Sequence, residues 1–339
     1  MADHRETLKK IDREVYLLRH AEAVLGWDQE TFLPPRGVEE RAEQLALLHG
    51  LVHERITSPA VAEALAAAEA PESSGDGAPP AGGGPGTEAA FYRAWRRRHD
   101  RAAKLPRQLV EKLARAAAMG QARWAEARKA ADFPLFLPYL KDILVLTRES
   151  AERIGYAGHP YDALLDEYEP WMTAAEIDRL FTGLRDHLVP LLRRIGESTV
   201  RPPRLPAADF PASAQEAFGR KVLESMGLPR DRSRLDVSVH PFTTSLGADD
   251  VRITTRYASG DFRSALFGTI HEGGHALYEL GFGAGVRGTL LADGTSLGIH
   301  ESQSRLWENM IGRSLPFWKR WYPVLKDHFP GVFDSLPLS

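Results

Sequence analysis

The chain has 339 residues, no cysteine and a formal net charge of −3. Its length allows one large domain or two, and without cysteine any metal must be held by His, Asp or Glu. The charge gives no field that would attract nucleic acid or an anionic membrane, and no apolar run approaches the roughly 20 residues of a membrane helix. We therefore predict no nucleic-acid or membrane partner. The charged N-terminus lacks the apolar core of a signal peptide, so we expect a cytoplasmic protein.

The N-terminal part of the chain is predicted to be helical. Its first apolar stripe recurs every three or four residues, at Leu8, Ile11, Val15 and Leu18. "FLPPRG" (32–37) ends that pattern, and a second amphipathic run follows. The Pro/Gly/Ser-rich segment 71–87 predicts a flexible loop. We expect this loop to lie within one region that spans residues 1–339.

Helical patterns dominate again until two short stretches alternate apolar and polar residues. Thr173, with Glu176 three residues on, predicts the start of one of these helices. "RLDVSVHPFT" (234–243) and "DDVRITTRYASGD" (249–261) have a period of two, which is typical of half-buried strands. We expect the two strands to form an antiparallel pair. The predicted fold class is therefore mainly α, with a small β-sheet that precedes the "HEGGH" helix.

The stretch "TIHEGGHALYEL" (269–280) carries the strongest chemical signal in the sequence. His271 and His275 lie four residues apart, so a helix places them on one face, one turn apart. Two imidazoles at this spacing can bind one divalent ion, and Glu272 can accept a proton from a water at the open position. This arrangement is the pattern of a metallohydrolase.

A third protein ligand is required, and the sequence offers several positions for it. The metzincin spacing is excluded because Gly281 stands where that class has a histidine. Glu279 lies a further turn along the same helix, which is too far to share one tetrahedral site easily. A second helix, capped by Ser296, carries Glu301 in its first turns. Glu301 is the predicted third ligand, and a surface ion pair with Arg305 is the alternative interpretation.

Two adjacent glycines, Gly273 and Gly274, stand between the histidines. Each costs a helix interior about 1 kcal/mol relative to alanine, so a compensating contact is expected. Gly273 lies opposite the histidines, where a missing side chain allows close packing against another backbone. Gly274 flanks the histidine face and leaves room for a substrate or for the helix of Glu301.

Four motifs in order, "HPF" (240–242), "DVRIT" (250–254), "HEGGHALYE" (271–279) and "HESQS" (300–304), resemble those of the M32 family of metallocarboxypeptidases, the thermostable carboxypeptidase Taq type. "GWDQETFLPPRG" (26–37) and "YDALLDEYEP" (161–170) are also similar to that family. The resemblance spans nearly the whole chain.

The resemblance implies a mostly helical fold with a deep cleft and a small sheet beside the metal helix. It implies Zn²⁺, which Co²⁺ can replace, held by His271, His275 and Glu301. It implies that Glu272 is the general base, and that single residues are released from peptide C-termini with broad specificity. Family members are commonly homodimers, so a homodimer that acts on peptide substrates is expected.

The resemblance also indicates residues that bind the substrate. His240 and Arg252 match motif positions that contact the substrate, and Asp250 and Thr254 frame the arginine. An arginine suits a carboxylate because its two donors match two oxygens. The alternative for Arg252 is a structural pair with Asp249 or Asp250. On the Glu301 helix, two further residues are predicted to contact the substrate or to orient the ligand: His300 and Gln303.

Family members usually continue well beyond the equivalent of Ser339, so the resemblance implies that a C-terminal part is lacking here. That part is expected to close one wall of the cleft. Two other functions stay open on the sequence. One is an oligopeptidase with the same metal site, which would cleave internal bonds. The other is a non-catalytic metal-binding scaffold that needs a partner chain to complete its cleft.

Overall fold

The computed structural model describes residues 2–69, 85–200, 205, 207–336 and 338. These residues form helices joined by short loops, as the sequence predicts. The predicted loop 71–87 lies outside the described residues, apart from its last three positions, with which a helix begins. The helices are α1 (Ala2–Thr31), α2 (Val38–Ile56), α3 (Pro59–Glu69), α4 (Pro85–Ala102), α5 (Arg107–Ala130), α6 (Phe133–Ile154), α7 (Pro160–Tyr168), α8 (Ala174–Glu197), α9 (Ala212–Ser225), α10 (Phe262–Leu280), α11 (Leu297–Arg305) and α12 (Leu315–His328).

The N-terminal helices α1 to α4 pack around a core of their own. The predicted stripe of α1 is confirmed, because Leu8 and Val15 are fully buried there beside Trp95 of α4. The helix ends at Thr31, and the following prolines form a single 3-10 turn before α2 begins. A proline fixes its own φ and lacks an N–H donor, so the two prolines end α1 at the predicted break.

The sheet has three strands, β1 (Ser233–Val237), β2 (Thr243–Gly247) and β3 (Asp250–Thr255), in the order β1-β3-β2. The predicted antiparallel pairing of the two alternating stretches is wrong, because β1 and β3 are parallel. The reason is the intervening strand β2, which the sequence interpretation missed. It reverses the chain and forms the antiparallel hairpin with β3, which leaves β1 to pair with the other edge of β3 in the same direction.

The second core lies between the sheet and the helices α9, α10 and α12. Helix α10 follows β3 directly and begins at Asp261, whose carboxylate accepts the backbone N–H of Arg263. Its apolar side faces this core with Leu266, Ile270 and Ala276, spaced four and six residues apart, all buried. The histidine side of α10 is thereby turned toward α11. None of the described helices combines the length and the apolarity that crossing a bilayer requires.

Candidate metal centre

Helices α10 and α11 bring the three predicted metal ligands together. The Oε2 atom of Glu301 lies 3.4 Å from Nε2 of His271 and 3.1 Å from Nε2 of His275. One potential ligand atom from each of the three residues falls within 4.8 Å of the others. No other set of three or more His, Asp or Glu side chains among the described residues converges in this way.

The close approach of the two helices depends on Gly274. A Cβ atom at this position would lie 2.7 Å from Cα of Ser304 and 3.0 Å from the carbonyl oxygen of Gln303, both in α11. Of the two neighbours predicted for Gly274, the structure shows the helix of Glu301. Gly273 differs from its prediction, because the side chains of Leu223 and Met226 approach it and not a backbone. Their flexible ends fill the back of α10 as part of the second core.

A carboxylate that sequence analysis missed lies behind His271. Nδ1 of His271 is 3.0 Å from Oε2 of Glu308, in a π-helical turn (Leu306–Ile311) that continues α11. A carboxylate can only accept, so Nδ1 carries the proton and Nε2 keeps its lone pair toward the site. The available signal was the seven-residue spacing from Glu301, which in a regular α-helix would place Glu308 two turns later on the same side.

His275 is held differently. Its buried Nδ1 atom has no hydrogen-bond partner among the described residues. Its ring stacks on that of His300, with centroids 4.5 Å apart and an angle of 16° between the planes. Nε2 of His300 is in turn 2.8 Å from Oε1 of Glu279. Glu279 therefore supports the site through two aromatic rings, and His300 lies directly beside His275.

The electrostatic state of these groups suits metal binding. Burial, together with the nearby His300 and His271, lowers the pKa of His275 to about 4, so its imidazole is neutral near pH 7. Burial opposes the ionisation of Glu301, but hydrogen bonds from Ser304 and Arg305, together with the positive charge of Arg305, outweigh it and lower its pKa. A neutral imidazole and an ionised carboxylate are the forms that bind a cation.

Glu272 lies beside the ligands with only 6% of its surface exposed. The hydroxyl of Thr243 in β2 donates to its Oε2 at 2.7 Å and lies 3.0 Å from its carbonyl oxygen. Burial raises the pKa of Glu272, and the hydrogen bond from Thr243 only partly opposes this. A buried carboxyl with a raised pKa is suited to take up and release a proton. Thr243 is the second functional residue that the sequence analysis missed.

The predicted substrate-binding residues do not all lie at the centre. Thr254 is 0% exposed, and its hydroxyl is engaged by Ser238 and by the backbone N–H of Phe242, so it has no surface for a substrate. The prediction of a substrate contact for Thr254 does not fit this geometry. Its role is to tie the end of β3 to the loop that leads into β2. Gln303 is half-buried on α11, next to the backbone that Gly274 faces.

Arg252 forms the structural pair with an aspartate that was the alternative to a substrate contact. Its guanidinium makes two hydrogen bonds to Asp250, at 3.0 and 2.9 Å, and lies 4.2 Å from the ring centroid of Trp27 at the end of α1. This pair joins α1 to the sheet. His240 is exposed, and its ring makes an edge contact with Trp124 of α5.

A cavity of about 280 Å³ adjoins the centre between α1, α4 and β2. Its walls include His300, which lies next to the predicted ligands, and Thr243, which lies next to Glu272. The acid Glu279 also lines it. Arg98 and Asp12 line the side formed by the N-terminal helices. The cavity therefore borders the centre through His300 and Thr243, and its volume could hold part of an extended peptide.

The geometry fits a small divalent metal ion. Two protein ligands about 2.1 Å from a tetrahedral ion lie roughly 3.4 Å apart. The two separations between Glu301 and the histidines are 3.1 and 3.4 Å. Two imidazoles and one carboxylate leave a fourth position open, which is the donor set of a catalytic site.

Comparisons with known proteins place the chain in a family. The family described as Carboxypeptidase Taq (M32) metallopeptidase matches residues 7–338, and the chain belongs to that family. It is 40% identical to "Thermostable carboxypeptidase 1" of Thermus thermophilus, over 97% of this chain and 65% of that protein. It is 36% identical to "Carboxypeptidase 1" of Bacillus subtilis, over 94% of this chain and 62% of that protein.

Solved structures give the same result for the fold. The M32 carboxypeptidase from Deinococcus radiodurans superposes with a TM-score of 0.84 and 37% identity, over 99% of this chain and 66% of that one. The predicted mainly helical metallopeptidase fold is therefore confirmed. The chain spans somewhat less than two thirds of the length of these relatives.

Proposed function

We propose that this chain carries the catalytic centre of a zinc-dependent metallocarboxypeptidase. It would remove single residues from peptide C-termini with broad specificity. The observation that carries the proposal is the convergence of His271, His275 and Glu301 beside the buried carboxyl of Glu272. The relatives named as carboxypeptidases support the choice of reaction. Zn²⁺ is the proposed ion because it prefers this donor set, and Co²⁺ is the proposed substitute.

The proposed roles of the residues follow from their chemistry. His271, His275 and Glu301 would hold Zn²⁺, which when bound supplies a Lewis acid for the scissile carbonyl group and for water. Glu272 accepts a proton from the attacking water as the new C–O bond forms. It then gives that proton to the amine nitrogen as the C–N bond breaks, so the carboxylate is regenerated. The Thr243 hydroxyl holds Oε2 of Glu272 in place between these steps.

Peptides are the proposed substrates, and they would reach the centre through the adjoining cavity. His300, at the boundary between cavity and ligands, and Gln303 are the proposed contacts on α11. His240, Asp250 and Arg252 are proposed to act at a distance from the ligands, the last two as a pair. A cytoplasmic location remains a proposal, and so does a homodimer, which the family resemblance suggests.

The proposal is tested by mass spectrometry of a defined peptide incubated with the chain and Zn²⁺ or Co²⁺, with a chelated control. A ladder that loses one C-terminal residue at a time, and only without chelator, is the expected result. Internal fragments would instead favour an oligopeptidase. An intact peptide beside stoichiometrically bound metal would favour the non-catalytic scaffold.

The Glu272→Gln variant tests the mechanism. It should bind metal normally and lose most turnover, because an amide cannot accept the proton. A matched control is Glu216→Gln on α9, where an exposed carboxylate pairs with Arg220. Normal hydrolysis by Glu272→Gln would remove Glu272 from the mechanism.

A further inference from the structure

We propose that Glu308 is a positioning residue for His271, and that Arg305 and Arg313 hold Glu308 in place. His271, Glu308, Arg305 and Glu301 then form a closed ring of contacts at the metal centre, which is called the ring below. The inference deepens the proposed function and rests on it, because it concerns how the ligands of that centre are prepared for the ion. It adds three residues of the segment 305–313 to the two histidines and the glutamate of the centre.

The first contact of the ring fixes the tautomer of His271. Its Nδ1 atom lies 3.0 Å from Oε2 of Glu308, while its Nε2 atom points toward Glu301. With the proton held on Nδ1 by an acceptor-only carboxylate, Nε2 is available as a ligand atom. Carboxylates in this position also increase the basicity of the imidazole that they contact.

Two arginines then hold the carboxylates. Arg305 donates through Nε to Oε1 of Glu301 at 2.8 Å and through a terminal nitrogen to Oε2 of Glu308 at 3.1 Å. Arg313 donates to the other oxygen of Glu308 at 2.7 Å. The Oε2 atom of Glu301, which faces the histidines, is left free of Arg305. The ring therefore closes from His271 through Glu308 and Arg305 to Glu301 and back to His271.

Glu308 is more deeply buried than an ordinary surface acid. Its side chain is 12% exposed, against 53% for Arg305. A carboxylate this far from water is unfavourable unless it is paired, and three donors from His271, Arg305 and Arg313 meet that need. Arg313 also lies 4.0 Å from the ring centroid of Phe267 in α10. The ring is thereby attached to the helix that carries the histidines.

The π-helical turn explains how one short segment reaches both ligands. Such turns insert an extra residue into a helix and occur frequently at functional sites. The N–H group of Gly312 bonds to the carbonyl of Trp307 at 2.7 Å, five residues earlier, at the end of this turn. The widened turn places Glu308 at the Nδ1 atom of His271, while Glu301, in the preceding helix α11, lies at its Nε2 atom.

The two histidines differ in the surroundings of their Nδ1 atoms, since within the described part of the chain only that of His271 contacts a carboxylate. The corresponding Nδ1 atom of His275 is buried without a hydrogen-bond partner among the residues that the structure describes. Loss of the Glu308 carboxylate would leave His271 in the same condition. The metal affinity of the centre should therefore depend on a residue that contacts neither the ion nor a substrate.

The test compares Glu308→Gln and Glu308→Ala with the parent chain. Zinc affinity is measured by competition with a chromophoric chelator, and the visible absorption of bound Co²⁺ reports the ligand geometry. We expect Glu308→Ala to bind zinc about 10- to 100-fold more weakly and to change the cobalt spectrum. Glu308→Gln should lie between Ala and the parent, because its amide oxygen still accepts from Nδ1 without the charge.

Two controls distinguish the loss of a positioning contact from a defect in folding. Glu149→Gln removes a similar carboxylate from an exposed ion pair with Arg153 on α6, and it should leave both readouts unchanged. Circular dichroism of the metal-free proteins shows whether the variants fold. If Glu308→Ala does not fold, the nearly isosteric Glu308→Gln variant provides the test. Parent-like affinity and spectrum in a folded Gln or Ala variant would overturn the inference. A parent chain that binds no metal would overturn the proposed function, and this inference with it.

Discussion

The backbone of Ser304 occupies the space that a side chain at position 274 would need. A Cβ atom on Gly274 would lie 2.7 Å from Cα of Ser304, a distance that real Cβ contacts essentially never show. Because this neighbour is backbone, it cannot move without shifting α11. The separation between the histidine helix and the helix of Glu301 is therefore set by the absence of one methyl group.

Gly274→Ala should lower both stability and metal affinity. We expect a loss of about 1–3 kcal/mol in the free energy of unfolding, the usual effect of overpacking. Zinc should also bind more weakly, because Glu301 moves away from the histidines with its helix. Urea unfolding and zinc competition measure the two effects.

Gly183→Ala, in the middle of α8, is the matched control, since a Cβ atom there meets no atom within 4 Å. This variant should be more stable by roughly 0.4–1 kcal/mol, because alanine is the better helix former. Equal behaviour of the two variants would contradict the role given to the contact with Ser304.

Removal of the Thr243 hydroxyl should slow turnover while metal stays bound. Thr243→Val is nearly isosteric, but it leaves Oε2 of the buried Glu272 without its 2.7 Å donor. We expect kcat to fall about 10-fold, the order of a hydrogen bond to a charged group. KM should change less than kcat, because the lost hydroxyl bonds to the base and the valine still fills the same place in the cavity wall.

Thr243→Ser restores the donor and should recover most of the activity. Steady-state kinetics on one peptide, with zinc content measured in parallel, distinguishes the variants. A Val variant with parental kcat would show that the hydrogen bond is not needed to position Glu272.

Loss of the Glu301 carboxylate should cost more metal affinity than any change in the surrounding ring. Glu301→Ala removes the oxygen that faces both histidines and leaves Arg305 paired with Glu308 alone. We expect zinc to bind at least about 100-fold more weakly, beyond the range seen for residues behind the ligands. Unchanged zinc stoichiometry and affinity would remove Glu301 from the centre.

The buried Asp12 in the cavity wall should make stability depend on pH. Its Oδ1 atom accepts from Nε1 of Trp95 at 3.0 Å and from the backbone N–H of Leu290 at 3.2 Å. Burial raises its pKa, although these two hydrogen bonds oppose the shift. A raised pKa in the folded state means that stability is fully present below the unfolded pKa of about 3.9 and is lost as the pH rises through the folded value.

Asp12→Asn keeps an acceptor for both donors and removes the ionisation. Relative to the parent, this variant should gain stability as the pH rises, and the difference should level off once the parent carboxyl is ionised. Urea unfolding across the range from about pH 4 to 8 measures this. Asp12→Leu leaves two donors without a partner and should lose about 1–3 kcal/mol for each. An Asn variant that becomes relatively less stable with rising pH would show that the ionised form is favourable.

Local patterns in the sequence predicted much of the fold and part of the centre. The stripe through Leu8 and Val15 and the capping box of Thr173 were recognisable because helix periodicity and end signals involve residues close along the chain. The pairing of β1 was predicted wrongly for the complementary reason. Whether two strands are parallel depends on the chain between them, and the short strand β2 carries too weak an alternation to be recognised.

That His271 and His275 share a helix face, with Glu272 beside them, follows from the sequence alone, because a spacing of four residues has that consequence in any α-helix. Which neighbours complete the centre depends instead on how the helices pack against one another. Glu301 meets the histidines because Gly274 lets α11 approach, and Glu308 reaches His271 because the chain forms a π-helical turn. These contacts join residues 26 to 37 positions apart along the chain. Their geometry depends on the packing of whole helices, which no local pattern specifies.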